Sequence, residues 1–170
     1  MLWKIAISAW VTRALFKSIP RNIADDEILV RAILSPYHLK KNKLSPQAFA
    51  SPPERDEVSV NRGRYVACWL AKAYAKRWVQ LPADVPPKMY TGLALISARA
   101  IRRLGSEVVD TREEYMGHAD LKHGLVRSRG EALAPDLRKK YDERLKQMAA
   151  EATYLKDQAP HQIPFIPIND

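Results

Sequence analysis

Three stretches decide the fold: Ile28-Leu-Val-Arg31-Ala-Ile33, Leu44-Ser-Pro-Gln-Ala-Phe49 and Val58-Ser-Val-Asn-Arg62. The first and third are short, β-branched and apolar-rich, which marks strands. The middle stretch reads as a loop that ends on a small apolar anchor, Ala48-Phe49. Each strand carries an arginine, Arg31 and Arg62, and the second carries Ser59. If the two strands lie side by side, both guanidinium groups and the hydroxyl can point into one cavity, an arrangement suited to a phosphate or nucleotide. The same residues serve equally well as plain scaffold.

Working outward, Tyr90-Thr-Gly-Leu-Ala-Leu-Ile96 reads as a buried strand and Glu107-Val-Val-Asp110 as another, after Gly105. His118-Ala-Asp-Leu-Lys-His123 forms a further short strand between Gly117 and Gly124. A strand–helix–strand unit results, which predicts an α+β fold: one domain with a mixed or antiparallel sheet covered by helices. The length of 170 residues suits a single core. The organisation expected is an N-terminal helix over 1–20 stopped by Pro20, a core over 21–130, and a long helix with an extended tail over 131–170.

The first twenty residues are apolar but interrupted by Lys4, Arg13 and Lys17. No run there approaches the about 18 apolar residues of a spanning helix, and no leader pattern is evident. The lone cysteine, Cys68, excludes an internal disulfide. A buried thiol in a reducing, cytoplasmic compartment is the expectation.

The net charge of +9 is concentrated. Residues 61–104 hold nine basic side chains against one acidic, while 21–60 balance and 105–170 are slightly negative. A localised excess favours a binding face over general solubility charge. Within it a helix is expected over 64–78, with Val66, Leu70, Ala73 and Tyr74 as its buried stripe. Beside that stripe stand Arg64, Tyr65, Trp69, Lys72 and Lys76. Cations interleaved with rings suit single-stranded RNA or DNA, where phosphates meet the charges and bases stack at about 1–3 kcal/mol each. A second helix is capped by Ser97 and stops at Gly105, with Arg99, Arg102 and Arg103 on one face and Ile101 and Leu104 turned inward. The competing reading is a core role for Trp69 and simple solvation for the arginines.

Residues 110–123 are richest in chemistry. On a strand, His118, Asp120 and Lys122 share one face and His123 takes the other. The two histidines therefore make a poor metal clamp, no Cys/His cluster supports one, and no metal is expected. His118 can act as a general acid or base with Asp120 orienting it, or simply as a hydrogen-bonded strand-end residue. Asp25-Asp26-Glu27 is an acid cluster that could hold a cation, though it reads first as a solvated turn before a strand. From Pro135, Leu137, Tyr141, Leu145, Met148, Ala152 and Leu155 recur at steps of three or four, giving a long helical seam with an Asp142–Lys146 pair. Residues 1–20 or 135–168 could engage a protein partner.

The order Leu29-Val-Arg31, Leu44-Ser-Pro-x-Ala-Phe49, Val58-Ser-Val-x-Arg62 and Gly117-His-Ala-Asp120 resembles a group of small uncharacterised bacterial proteins, over roughly residues 28–124. Val58 stands where that group usually has leucine. The resemblance brings no established activity. Arg31 and Ser59 also resemble, more faintly, the early strand arginine and second-strand serine of toxins with an ADP-ribosyltransferase-like fold, some injected by type VI secretion. That likeness implies a nicotinamide dinucleotide (NAD) pocket and a late catalytic glutamate, for which Glu113 and Glu114 are the candidates. Two functions therefore compete. One is a basic nucleic-acid-associated protein of a bacterial defence or toxin–antitoxin system, needing no cofactor. The other is an NAD- or nucleotide-using enzyme with Arg31, Ser59, Arg62 and His118 around its pocket. An interaction module working through the terminal helices is a third. No Gly-rich phosphate loop, nucleophile elbow or zinc spacing is present.

Overall fold

The computed structural model describes residues 18–52, 54–79, 88–126, 128 and 130–160, with backbone alone at 77–79. Most of the helix expected over 1–20, the proline-rich loop and the tail beyond 160 lie outside the described residues. In chain order the elements are β1 (Ile28–Ser35), β2 (Leu39–Lys40), β3 (Lys43–Leu44), a 3-10 turn (Pro46–Phe49) and β4 (Val58–Arg62). Then come α1 (Cys68–Val79), β5 (Met89–Ser97), α2 (Ala98–Arg103), β6 (Glu107–Asp110), β7 (His118–Lys122), α3 (Pro135–Glu151) and β8 (Thr153–Lys156). Six strands form one sheet in the order β6-β7-β4-β1-β5-β8. Every pairing in it is antiparallel, so the sheet is antiparallel rather than mixed. Among the described residues, no helix is long and apolar enough to cross a membrane.

Strand alternation sorts the side chains onto two faces. Leu29, Ile33, Val58, Val60, Ala94, Ile96, Ala119 and Leu121 form the larger core with Ala48 and Phe49 of the 3-10 turn, Ile101 of α2, and Tyr141, Leu145 and Met148 of α3. Burying Phe49 alone removes a whole aromatic side chain from water, worth about 1.5–3 kcal/mol. The smaller core, on the opposite face, brings Val30 and Leu93 against Val66 and the alanines Ala71 and Ala75 of α1. Ser97 caps α2 by accepting from the Ala100 N–H at 3.2 Å, and the chain turns out of α2 at Gly105 with φ +80°.

Two helices differ from the sequence expectation. α1 begins at Cys68, after Val66 has been buried, and buries Ala71, Lys72 and Ala75 most fully, with Leu70 and Tyr74 half-buried against the same core. α3 ends at Glu151, and Leu155 belongs to β8, paired with Leu93 at the edge of the sheet. Gly92 permits that edge: a Cβ there would meet the Leu155 carbonyl oxygen at 2.2 Å. Within α3 the expected Asp142–Lys146 contact is absent from the ion pairs; Asp142 faces Arg138 at 3.7 Å and Lys146 faces Glu143 at 3.9 Å.

Candidate functional site

On the α1 side of the sheet, the face changes character from one strand pair to the next. β1 and β5 present Val30, Ala32, Leu93 and Leu95. β4 and β7 present Ser59 and Asn61 opposite Asp120 and His118. The polar half is left beside α1, whose small residues Ala71 and Ala75 leave room against the sheet. The result is a cavity of about 140 Å³ lined by Arg31, His38, Ser59, Asn61, Tyr74, Glu114, Tyr115 and His118, among others. A void of that order accommodates one small ring.

Arg31 enters the cavity by an unusual route. Alternation places it with Leu29 and Ile33 on the other face. The β1–β4 ladder pairs only Leu29 with Arg62 and Val30 with Asn61, however, and the guanidinium reaches the gap beyond that pairing. There Nε donates to the Ala48 carbonyl at 3.1 Å and Nη1 to the Ser59 carbonyl at 2.7 Å. Both partners are neutral, and among the described residues no carboxylate forms an ion pair with it. Desolvation lowers Arg31 to about 10, with Tyr115 and Asp120 pulling the other way, so it stays cationic at neutral pH.

The opposite wall is ordered by short-range contacts. The Tyr115 hydroxyl donates to Asn61 Oδ1 at 2.9 Å, and its ring lies 4.0 Å from that of Tyr74 and 4.7 Å, edge-on, from His118. Burial raises the Tyr115 phenol well above its ordinary value, so it remains a neutral donor. His118 is buried, with Nδ1 2.7 Å from Thr111 Oγ1 and Nε2 3.7 Å from Glu114 Oε2. Thr111 therefore orients this ring, where Asp120 was expected to. Gly117 makes the turn that delivers it: φ is +81°, and a Cβ would meet Val66 Cγ2 at 2.4 Å. His38 accepts the Leu34 N–H on Nδ1 at 3.2 Å. Desolvation, reinforced by the Arg31 charge and against the Ala32 carbonyl, lowers His38 to about 3, so it is neutral.

Arg31, Ser59 and His118 thus meet around one cleft, and Arg62 does not. Arg62 is buried, with Nε and Nη2 donating to the two oxygens of Glu27 at 2.6 and 2.9 Å and Nη1 to Asp110 at 2.5 Å and the Pro20 carbonyl at 2.6 Å. Arg112 completes the cluster on Asp110 at 2.6 and 2.8 Å. Burial opposes the Asp110 charge, but the bonds from Arg112 and Arg62 outweigh it and hold the carboxyl below its ordinary value. The Arg62 candidacy is corrected accordingly: it is a structural ion pair. Glu27 is likewise a buried partner rather than part of a solvated turn. Of the two glutamates implied by resemblance, Glu114 lines the cleft, while Glu113 pairs with Arg21 outside it at 3.1 Å.

The basic stripe is also redistributed. Lys72 is buried, 2.7 Å from Asp157 and 2.7 Å from the Ala159 carbonyl, and cannot meet a phosphate at the surface. Arg102 pairs with Asp25 and donates to the Ile23 carbonyl at 2.7 Å, and Arg103 pairs with Glu151. Tyr65 is half-buried beneath the Arg62 guanidinium, 4.7 Å from its ring centre, and Lys76 is half-buried. Arg64, Trp69 and Arg99 are exposed, Trp69 at 51%.

One grouping went unseen in the sequence. Ligand atoms of Glu114, His118 and Asp120 all lie within 4.8 Å of one another, and these residues could hold a metal ion. The sequence signal is present as Glu-x-x-x-His-x-Asp, a turn residue followed by an i,i+2 strand pair. His123 is on the other face, as alternation requires, with Nε2–H donated to the Phe49 carbonyl at 2.7 Å and Nδ1 2.9 Å from Ser106 Oγ. No protein-family model, curated protein or solved structure matches the chain.

Proposed function

We propose that the chain is a nucleotide-using enzyme whose cleft takes the ring and an adjacent anionic group of its substrate. The observation that supports this reading is the convergence of Arg31, Ser59 and His118, from three strands, on one cavity. Arg31 is the anion anchor: it is cationic, desolvated and bonded only to neutral carbonyls, so its charge is not spent on a carboxylate. Tyr74 and Tyr115 supply an aromatic wall, and Asn61, Ser59 and neutral His38 supply polar edges. His118 and Glu114 stand at hydrogen-bonding reach of a ligand in the cleft, as groups that can move a proton. NAD is the specific form that the resemblance implies, with Glu114 as its carboxylate; a cavity of this size takes the nicotinamide end and leaves the remainder outside.

The test is nicotinamide release from NAD together with equilibrium binding of ADP-ribose and AMP. Wild type should bind, and Arg31→Gln, which can still donate to one carbonyl, should bind about 10–100-fold more weakly, the loss of a charge-assisted bond. Absence of binding by all three ligands overturns the reading.

A second reading, contact with single-stranded nucleic acid, is favoured by the exposure of Trp69 in the first turn of α1 and of Arg64 in the turn before the helix. It predicts salt-dependent binding of single-stranded RNA that weakens in Trp69→Ala and Arg64→Ala. Lys72 is left out of that test, because its substitution would break a fully buried ion pair with Asp157.

A further inference from the structure

Asp120 is in an exceptional position. It is 3% exposed, in the middle of β7, between Ser59 of β4 and Val109 of β6. Among the described residues, no hydrogen bond or ion pair reaches its carboxylate; the charge of Arg31 acts on it only at longer range. Its unbonded oxygens keep contact with solvent, so an arriving cation can reach them. The atoms nearest in kind are a second carboxylate and an imidazole. Glu114 and His118 place ligand atoms within 4.8 Å of it and of each other.

We infer that Glu114, His118 and Asp120 bind one first-row divalent cation. The inference uses the cleft of the preceding reading but rests on the donor atoms alone. Donors around a four-coordinate ion stand about 3.4 Å apart when each bond is about 2.1 Å. The Glu114–His118 separation of 3.7 Å is already close to that. Glu114 stands on a turn with its side chain 57% exposed, while His118 and Asp120 are held by the strand. Thr111 Oγ1 can accept the Nδ1–H of His118 and leave the Nε2 lone pair toward Glu114, the outer-shell arrangement that fixes a metal-binding imidazole. One imidazole with two carboxylates and no thiolate suits Zn²⁺ or Mn²⁺ and disfavours Cu⁺. Three protein ligands leave a position open toward the cavity that Arg31 also lines, where a phosphate oxygen of a nucleotide could be the further ligand. A bound ion would occupy Glu114 and His118 and remove them as the proton-moving groups of the preceding reading, while Arg31 would remain available to an anionic group.

The test is titration of the untagged, chelator-treated full chain with Zn²⁺ by calorimetry and with Mn²⁺ by electron paramagnetic resonance, alongside thermal melts. One ion per chain should bind and raise the melting temperature. Thr111→Val should weaken binding about 10–100-fold, and Glu114→Gln and Asp120→Asn should weaken it further. Without metal, Asp120→Asn should fold and melt cooperatively, because among the described residues the carboxylate makes no hydrogen bond or ion pair that the amide would lose; this shows that its lost affinity is not lost folding. Glu113→Gln should bind as wild type. Arg31→Gln should retain or tighten the ion while losing nucleotide, so failure of the nucleotide reading leaves this result standing. No stoichiometric ion up to about 1 mM, or unchanged affinity in both Glu114→Gln and Asp120→Asn, overturns the inference.

Discussion

Replacing Arg62 with methionine separates a scaffold arginine from a ligand-binding one. The substitution keeps the apolar stem and deletes four hydrogen bonds: two to Glu27, one to Asp110 and one to the Pro20 carbonyl. Asp110 retains Arg112, whose Nε and Nη2 still donate to it. Glu27 retains no other side-chain partner among the described residues, and its side chain is 5% exposed. Breaking a buried pair from one side costs about 3–5 kcal/mol, because the surviving charge is stranded. Against the about 5–15 kcal/mol that hold a typical domain together, that is at least about a fifth of the total. Urea denaturation followed by circular dichroism should show this loss. Adding Glu27→Met should restore most of it, since a buried pair exchanged for apolar bulk is near neutral. A loss below about 1 kcal/mol, the value of an exposed pair, would refute the reasoning and return Arg62 to the list of groups available for a ligand.

Further outcomes follow from the same contacts. Lys72→Met should cost about 3–5 kcal/mol in the same denaturation assay, because Asp157 loses a partner in a fully buried pair; a change within about 0.5 kcal/mol would mean that Lys72 reaches solvent. Gly117→Ala should cost about 1–3 kcal/mol, from a positive φ and a Cβ set against Val66, and should also displace His118; wild-type stability would contradict the turn geometry. His38 titrates near 3 in the folded chain against an ordinary 6.5. Its contribution is therefore complete above pH 6.5 and is lost as the pH falls toward 3, at up to about 1.4 kcal/mol per unit. His38→Gln should flatten urea midpoints compared at pH 7 and pH 4.5, and an unchanged slope would show that another group governs the acid limb.

Much of the fold was legible because it rests on local signals. The strands around Arg31, Ser59, Leu93 and His118 follow from apolar and β-branched runs bounded by turn residues. The Ser97 cap and Gly105 stop delimit α2, and Ala48-Phe49 anchors the core as its smallness and apolarity suggest. What escaped depends on partners far along the chain. Arg31 and Arg62 sit on the same face by alternation, and only the positions of Glu27 and Asp110 decide that one is locked while the other reaches the cleft. The spacing of Lys72 from Trp69 matches a surface stripe equally well as a helix rotated to bring Lys72 onto Asp157. Leu155 continued the helical seam because, over four residues, steps of three or four cannot be told from an edge strand docking on Gly92. The metal-type cluster was missed because His118 was weighed against His123, which alternation places on the far face, rather than against Glu114 in the preceding turn.

The central claim is that the cavity between α1 and the polar half of the sheet is where this chain meets its ligand. Calorimetric titration of wild type and Arg31→Gln with ADP-ribose tests it most directly. A single site is expected in wild type, weakened about 10–100-fold by the substitution in a protein that still unfolds cooperatively. Equal affinity in the two proteins would contradict it.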